Sequence, residues 1–348
     1  MMPDKKLITK RLTAIWALTE TTLGGLLHAL HIPLTGIFIG GAAIIFITLI
    51  AYFSDQKYSI IKATIMVLIV KGLVSPYTPI AAYFSVLLQG ILGQLLFINK
   101  KHISLSAFVL SISTMLLFGF QKVIVYTVVF GKTLWQSIDT FTNFIIDQFH
   151  IMGQNSQTIH FSMIIISGYI FIHLAFGIFI GIVAGRIPGW LITSINDNDY
   201  YIKGIKNELT AKSIPYLHKK SKNSKTKKRI IIFSIISIIL LILSYFIPNS
   251  ESNFLIEVVL MIFRAVMITL VWYFYLAPLL VYHSKKYLKK QQNIYAEEVQ
   301  EILNLFPYLR NILSHCWSKS SDQKGLKKYQ FFFSYSIITM LLTNFNFE

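Results

Sequence analysis

Pro33-Leu34-Thr35-Gly36-Ile37-Phe38-Ile39-Gly40-Gly41-Ala42-Ala43-Ile44-Ile45-Phe46-Ile47-Thr48-Leu49-Ile50-Ala51-Tyr52-Phe53 contains no acidic, basic or histidine side chain. A helix rises about 1.5 Å per residue, so this run covers the roughly 30 Å of a bilayer's hydrocarbon core. The pattern recurs on both sides of it. Apolar runs at 12–31, 59–75, 78–98, 103–126, 160–185, 230–247 and 255–282 bring the expected number of spans to eight. The run at 59–75 is short and ends at Pro76, which suits a tilted or re-entrant segment. Composition agrees: 54% of the 348 residues are hydrophobic and 14% charged, against about 25% charged in a soluble domain. Mean hydropathy is +0.60. The sequence predicts an all-α polytopic membrane protein. The basic stretch Met1–Arg11 followed by an apolar run looks like a signal peptide. However, Thr19-Glu20-Thr21-Thr22 interrupts that run, no small-x-small cleavage site follows, and a second span starts at once. We therefore expect a retained helix.

Net charge is +17, from 32 basic and 15 acidic residues. With the N-terminus in the cytoplasm, 27 of the 32 basic residues fall in cytoplasmic segments, namely 1–11, 54–58, 99–102, 186–229 and 284–348. The external loops hold only Lys132, while Lys62, Lys71, Lys122 and Arg264 lie in or at the ends of spans. Positive charge concentrates on the cytoplasmic side of membrane proteins. The bias predicts both termini inside, in a cytoplasmic (inner) membrane. The basic charge is thereby explained by topology and by attraction to anionic lipid. No nucleic-acid recognition motif is present. Cys316 is the single cysteine, which excludes an internal disulfide and a cysteine-based zinc site.

The chain divides into a six-span unit (1–188), a basic linker (189–229) ending in Lys219-Lys220-Ser221-Lys222-Asn223-Ser224-Lys225-Thr226-Lys227-Lys228-Arg229, a two-helix hairpin (230–283) and a helical tail (284–348). Small residues recur every four positions at Thr13, Ala17, Thr21, Gly25 and Ala29, and at Gly177, Gly181 and Gly185; Gly36 and Gly40 make a shorter pair. Such stripes let helix backbones approach closely, either within the bundle or against a partner membrane protein. In the longest external loop, 127–159, Leu134, Ile138, Phe141, Ile145 and Phe149 fall at helical spacing, with Asp139, Asn143 and Asp147 as polar spacing between them. That pattern predicts an amphipathic outer helix. It is either a lid over an external pocket or a connector in the headgroup layer. In the tail, Tyr295, Val299, Ile302, Phe306, Leu309 and Leu313 form a helical stripe interrupted by Pro307, and Phe331–Leu342 is short enough to be interfacial.

Ionisable groups at membrane depth are costly and point to function. Glu20 lies about 13 Å into the first span. His28 and His31 follow on roughly the same face, making a polar stripe that runs inward from the outside. Lys71, Tyr77, Gln121 and Lys122 sit at the outer ends of neighbouring helices, with Gln89 and Gln94 deeper. Glu20, His28, His31, Lys71, Tyr77, Gln121 and Lys122 are the predicted ligand-binding set. A lysine near a span end can also snorkel to the interface, the simpler account of Lys62. No HExxH, GxxxxGK[ST] or GxSxG motif is present, and no paired acidic motif beside a span. The sequence gives no reason to expect an enzyme or a cofactor.

Residues 10–188 resemble the substrate-binding (S) component of energy-coupling factor (ECF) transporters. The resemblance rests on the six spans, the compact length, the small-residue first helix Thr13-Ala14-Ile15-Trp16-Ala17 and the closing Gly177-Ile178-Phe179-Ile180-Gly181-Ile182-Val183-Ala184-Gly185. It implies capture of a vitamin-like molecule or metal at the outer ends of the helices. It also implies a membrane coupling partner and cytoplasmic ATPases. In that family alanines four apart on the first helix meet the coupling partner. Here Ala14 and Ala17 are three apart, so Thr13, Ala17, Thr21 and Gly25 stand in for them. The two further spans and tail are similar in layout to a reduced coupling component, but its Ala-Arg-Gly signature is absent. Two other readings stand beside capture. One is a secondary transporter with Glu20 carrying a proton; the other is a scaffold recruiting a cytoplasmic partner through the tail.

Overall fold

The computed structural model describes residues 4–24, 27, 34–75, 80–149, 160–197, 254–271 and 294–342, with isolated positions between 274 and 286. Every regular element among them is helical. The helices are α1 (Lys5–Leu18), which runs directly into a π-helical turn (Thr19–Leu23), then α2 (Thr35–Phe53), α3 (Ser59–Val74), α4 (Ile80–Leu96), α5 (Ile103–Phe130), α6 (Lys132–Gln148), α7 (Phe161–Asp197), α8 (Phe254–Val271), α9 (Ala296–Lys319) and α10 (Leu326–Leu342). Among the described residues, three segments are long and apolar enough to cross a membrane: Thr35–Phe53, Lys100–Phe130 and Phe161–Thr193. Ala82–Leu96 and Val259–Val271 are shorter apolar helices. The expected span at 230–247 and the basic linker beyond residue 197 lie outside the described residues. Along α7 the side chains of Met163, Phe171 and Phe179 are each more than 60% exposed. Apolar surface on that scale marks contact with lipid or with a partner.

The chain forms two compact units. The first holds the described residues within Met1–Met115, Phe176–His218 and Lys285–Glu348. Its centre is α1, which packs on α2, α3, α9 and α10. Leu12, Ala14, Trp16 and Ala17 are fully buried there. Small residues decide the close approaches. A Cβ on Gly181 would stand 2.9 Å from the Phe108 Cα, and one on Gly185 3.1 Å from the Ser104 Cα, so the Gly177/Gly181/Gly185 stripe is where α7 meets α5. Ser111 and Ser104 add hydrogen bonds from their hydroxyls to the Gly177 and Gly185 carbonyls, at 2.7 and 3.0 Å. The first-helix stripe is likewise an internal packing face. Thr13, Ala17 and Thr21 are buried by the chain's own helices. Gly25 lies outside the described residues.

The tail belongs to this first unit. The buried face of α9 comprises Val299, Ile302, Leu305, Phe306, Leu309, Ile312 and Cys316. It follows the expected stripe but rotates away from Leu313, because a straight helix repeats every 3.6 residues rather than 3.5. This face packs on α1 and α3, and α10 packs on α9 and α1. The stretch expected to be interfacial buries Tyr335, Ile338, Met340 and Leu341. Arg11, itself buried, donates to the Leu341 carbonyl. Lys62 pairs with Glu298 at 2.7 Å and lies 5.7 Å from the Tyr295 ring, so it is an anchor for the tail and does not simply snorkel. Lys10 pairs with Glu301 nearby. Half-exposed pairs of this kind contribute about 0.2–1 kcal/mol each, whereas a fully buried leucine or isoleucine contributes about 1.5–3 kcal/mol of gross burial. The apolar face therefore holds α9 in place and the ion pairs set its register. Leu309→Ala is expected to cost about 2–5 kcal/mol and to expose α9 to protease. Lys62→Gln should cost under about 1 kcal/mol. Limited proteolysis with denaturant titration compares the two.

The second unit holds the described residues within Leu116–Ala175 and Lys219–Ser284. Here α6 packs on α8. The expected amphipathic helix is present as α6, with Asp139 and Asn143 half-buried on it.

Candidate functional site

Glu20 sits in the π-helical turn, which has a local chemical cause. Thr19, Thr21 and Thr22 each turn a hydroxyl back onto a carbonyl of the preceding turn, those of Ile15, Ala17 and Leu18, at 2.9, 2.8 and 2.6 Å. Back-bonding of this kind competes with the backbone ladder and bends helices. The turn closes with the Gly24 N–H donating to the Thr19 carbonyl, five residues back. Such one-turn π segments recur at functional positions. The widened turn carries the Glu20 carboxylate inward to Lys71 near the end of α3. The two atoms are 2.7 Å apart, and the side chains are 1% and 4% exposed. Tyr83 of α4 completes the surroundings. Its ring centre is 5.7 Å from the Lys71 ammonium, and its hydroxyl donates to the Ser75 carbonyl at 3.2 Å. Both members of the pair were predicted as ligand contacts; here each satisfies the other. Gln89 is also satisfied internally, donating to the Gly40 carbonyl at 3.1 Å. Gln94 bonds the Lys57 carbonyl and the Ile61 N–H at the start of α3.

A concave site lies in the second unit, where the C-terminal end of α5 and the N-terminal end of α7 meet α6. The pocket is about 350 Å³, within the size range of small-molecule sites. Tyr126 and Phe130 come from α5, Trp135 from α6 and Tyr169 from α7, with Leu134, Ile138 and Ile165 filling between the rings. Lys122 is the only charged residue that lines it. The Trp135 indole is fixed by donating to the Thr127 hydroxyl oxygen at 3.0 Å. Tyr169 stacks obliquely on buried His173, with ring centres 4.4 Å apart. Beneath them Gly119 lets α5 pass close to that imidazole, since a Cβ there would lie 3.3 Å from its Cγ.

The amphipathic helix α6 thus roofs a pocket, but with only its first half. Leu134 and Ile138 face the pocket, while Phe141 and Phe149 are 65% and 73% exposed. Asp139, expected merely to separate apolar positions, anchors the roof. It accepts the Ser162 N–H at 2.7 Å and the Ser162 hydroxyl at 2.9 Å. An orphan donor in the first turn of α7 is thereby capped from another helix. Desolvation pushes the Asp139 carboxyl up, but the two Ser162 bonds and neighbouring His160 outweigh it and hold the group below its ordinary value. A carboxyl lowered on folding stabilises fully above its unfolded pKa, about 3.9. That stabilisation is lost as pH falls through the lower folded value. Asp139→Ala should therefore loosen α6 by about 1 kcal/mol at pH 7, and the difference from wild type should shrink as pH falls below the ordinary carboxylate range. Hydrogen exchange of α6 against pH reads both.

At the other end of the first unit, a cleft of about 510 Å³ lies among the start of α1, the α2–α3 turn and the start of α9. It is lined by both signs of charge, and Lys5 pairs with Asp55 at 2.9 Å on its rim. Its composition suits a packing seam between charged ends more than a selective site.

Of the predicted ligand set, Glu20 and Lys71 come together as a closed pair in the first unit, and Lys122 lines the pocket of the second. Gln121 is half-buried beside Lys122 without lining the pocket. His28, His31 and Tyr77 lie outside the described residues. Sequence reasoning missed Trp135 and Tyr169, whose only signal was an aromatic ring in the first part of a helix. No group of three or more metal-ligating side chains occurs among the described residues. The architecture is all-α, with helices long and apolar enough to cross a membrane. No protein-family model, curated protein or solved structure matches the chain.

Proposed function

We propose that this chain is a multi-pass protein of a cytoplasmic membrane that captures a small molecule at its outer face for import. In this reading eight helices span the bilayer and both termini are inside. Capture resembles that of an ECF substrate-binding component, and a membrane coupling protein with cytoplasmic ATPases drives release inward. The observation that carries the reading is the pocket of about 350 Å³ beneath α6, built from four aromatic rings with a single cation among its lining residues. Native mass spectrometry of protein released from detergent tests it. Wild type is expected to retain a small-molecule mass that Ile138→Trp, which fills the pocket, does not. Wild type and Ile138→Trp carrying the same masses would refute capture at this site.

One observation favours a second reading, an ion-coupled carrier. Glu20, in the π-helical turn, and Lys71 of α3 form a charge-compensated pair at nearly complete burial. Uptake by the chain alone in liposomes, driven by a pH gradient and lost in Glu20→Gln, would select that reading. Absence of such uptake would remove it.

A further inference from the structure

We infer that the pocket beneath α6 selects a planar aromatic molecule with a single negative charge. The inference rests on the capture reading and adds the ligand's chemical class. Three features of the pocket support it. Tyr126, Phe130, Trp135 and Tyr169 present rings from three helices, and ring faces and edges favour stacked or edge-on aromatic partners over flexible chains. The rings are held in place beforehand: Trp135 is tied to Thr127, and Tyr169 rests on His173. A site fixed in advance loses less ordering entropy on binding and discriminates more sharply by shape.

The third feature is charge. Lys122 is exposed, and no carboxylate among the described residues pairs with it. The acid closest along the roof, Asp139, already accepts two bonds from Ser162 and faces His160. A ligand anion at Lys122 therefore meets an ammonium without internal competition, and charge-assisted bonds of this kind are the stronger ones. A ligand cation would meet like charge in an apolar surround, where juxtaposed like charges discriminate strongly. The wall offers few polar groups, so a second charge on the ligand would be buried without a partner.

The test uses the full chain in nanodiscs and four soluble probes, 2-naphthoate, 2-naphthylmethylammonium, 2-naphthalenemethanol and decanoate, titrated calorimetrically. Naphthoate is expected to bind at least tenfold more tightly than the amine and several-fold more tightly than the alcohol or decanoate. Lys122→Met should weaken naphthoate about tenfold and leave the alcohol unchanged, Lys122→Arg should keep the preference, and Trp135→Leu should weaken naphthoate and the alcohol alike. Lys122 is exposed, so its variants fold as the wild type does. Equal binding of naphthoate and the amine, or a preference that survives Lys122→Met, overturns the charge assignment. Decanoate binding as tightly as naphthoate overturns the aromatic one and points to an acyl chain. Binding of none of the four overturns the ligand class, while the mass-spectrometric experiment judges capture separately.

Discussion

Replacing Lys71 with methionine lowers the stability of the first unit by about 3–5 kcal/mol. The reason is the partner left behind. Glu20 is 1% exposed at its side chain and has Lys71 as its counter-charge at 2.7 Å. Removing the ammonium strands a carboxylate in an apolar interior, where an unpaired charge costs far more than the pair contributes. Replacing both residues, Glu20→Leu with Lys71→Met, is expected to return stability to within about 1 kcal/mol of wild type or above it, because no charge is then left to desolvate. Thermal unfolding of the two single variants and the double variant closes the cycle. Additive losses in the double variant would mean that Glu20 and Lys71 are satisfied by other groups. A double variant that is stable but inactive in uptake would show that the pair serves transport and not folding.

The second large effect is steric. A Cβ on Gly90 would lie 2.2 Å from the Thr64 Oγ1 and 2.7 Å from its Cβ. Thr64 is fully buried and its hydroxyl is committed to the Ile60 carbonyl at 2.8 Å, so it has nowhere to turn. Gly90→Ala must push α3 and α4 apart, at a cost of about 2–3 kcal/mol. Combining it with Thr64→Ala makes room and should recover most of that loss. If Gly90→Ala leaves the melting temperature unchanged, the two helices do not pack here as described.

These two sites also show how far the sequence could be read. The apolar runs forecast α2, α4, α5 and α7 because twenty residues without a charge have few alternatives to a buried or membrane helix. The periodicity of 134–149 forecast α6, and the Gly177/Gly181/Gly185 spacing forecast a packing face whose partner, α5, only the structure supplied. Glu20 and Lys71 were both singled out, yet their pairing was not. They are 51 residues apart, and nothing local shows which groups a fold brings together. The π-helical turn was hidden for a related reason: three threonines near Glu20 hint at back-bonding, but the same residues fit an ordinary helix. Asp139 was misread as polar spacing on α6 because its role depends on Ser162 of another helix. Lys62 was read as snorkelling because its partner Glu298 belongs to a tail that appeared separate in the chain.

Capture from outside depends most directly on orientation. Lys122→Cys and, as an inner control, Lys10→Cys, each in a Cys316→Ser background, can be treated in intact cells with a membrane-impermeant maleimide. Eight spans with both termini inside predict that Lys122→Cys is labelled in intact cells and Lys10→Cys only after permeabilisation. Labelling of Lys10→Cys in intact cells, with Lys122→Cys protected until permeabilisation, would contradict capture at the outer face.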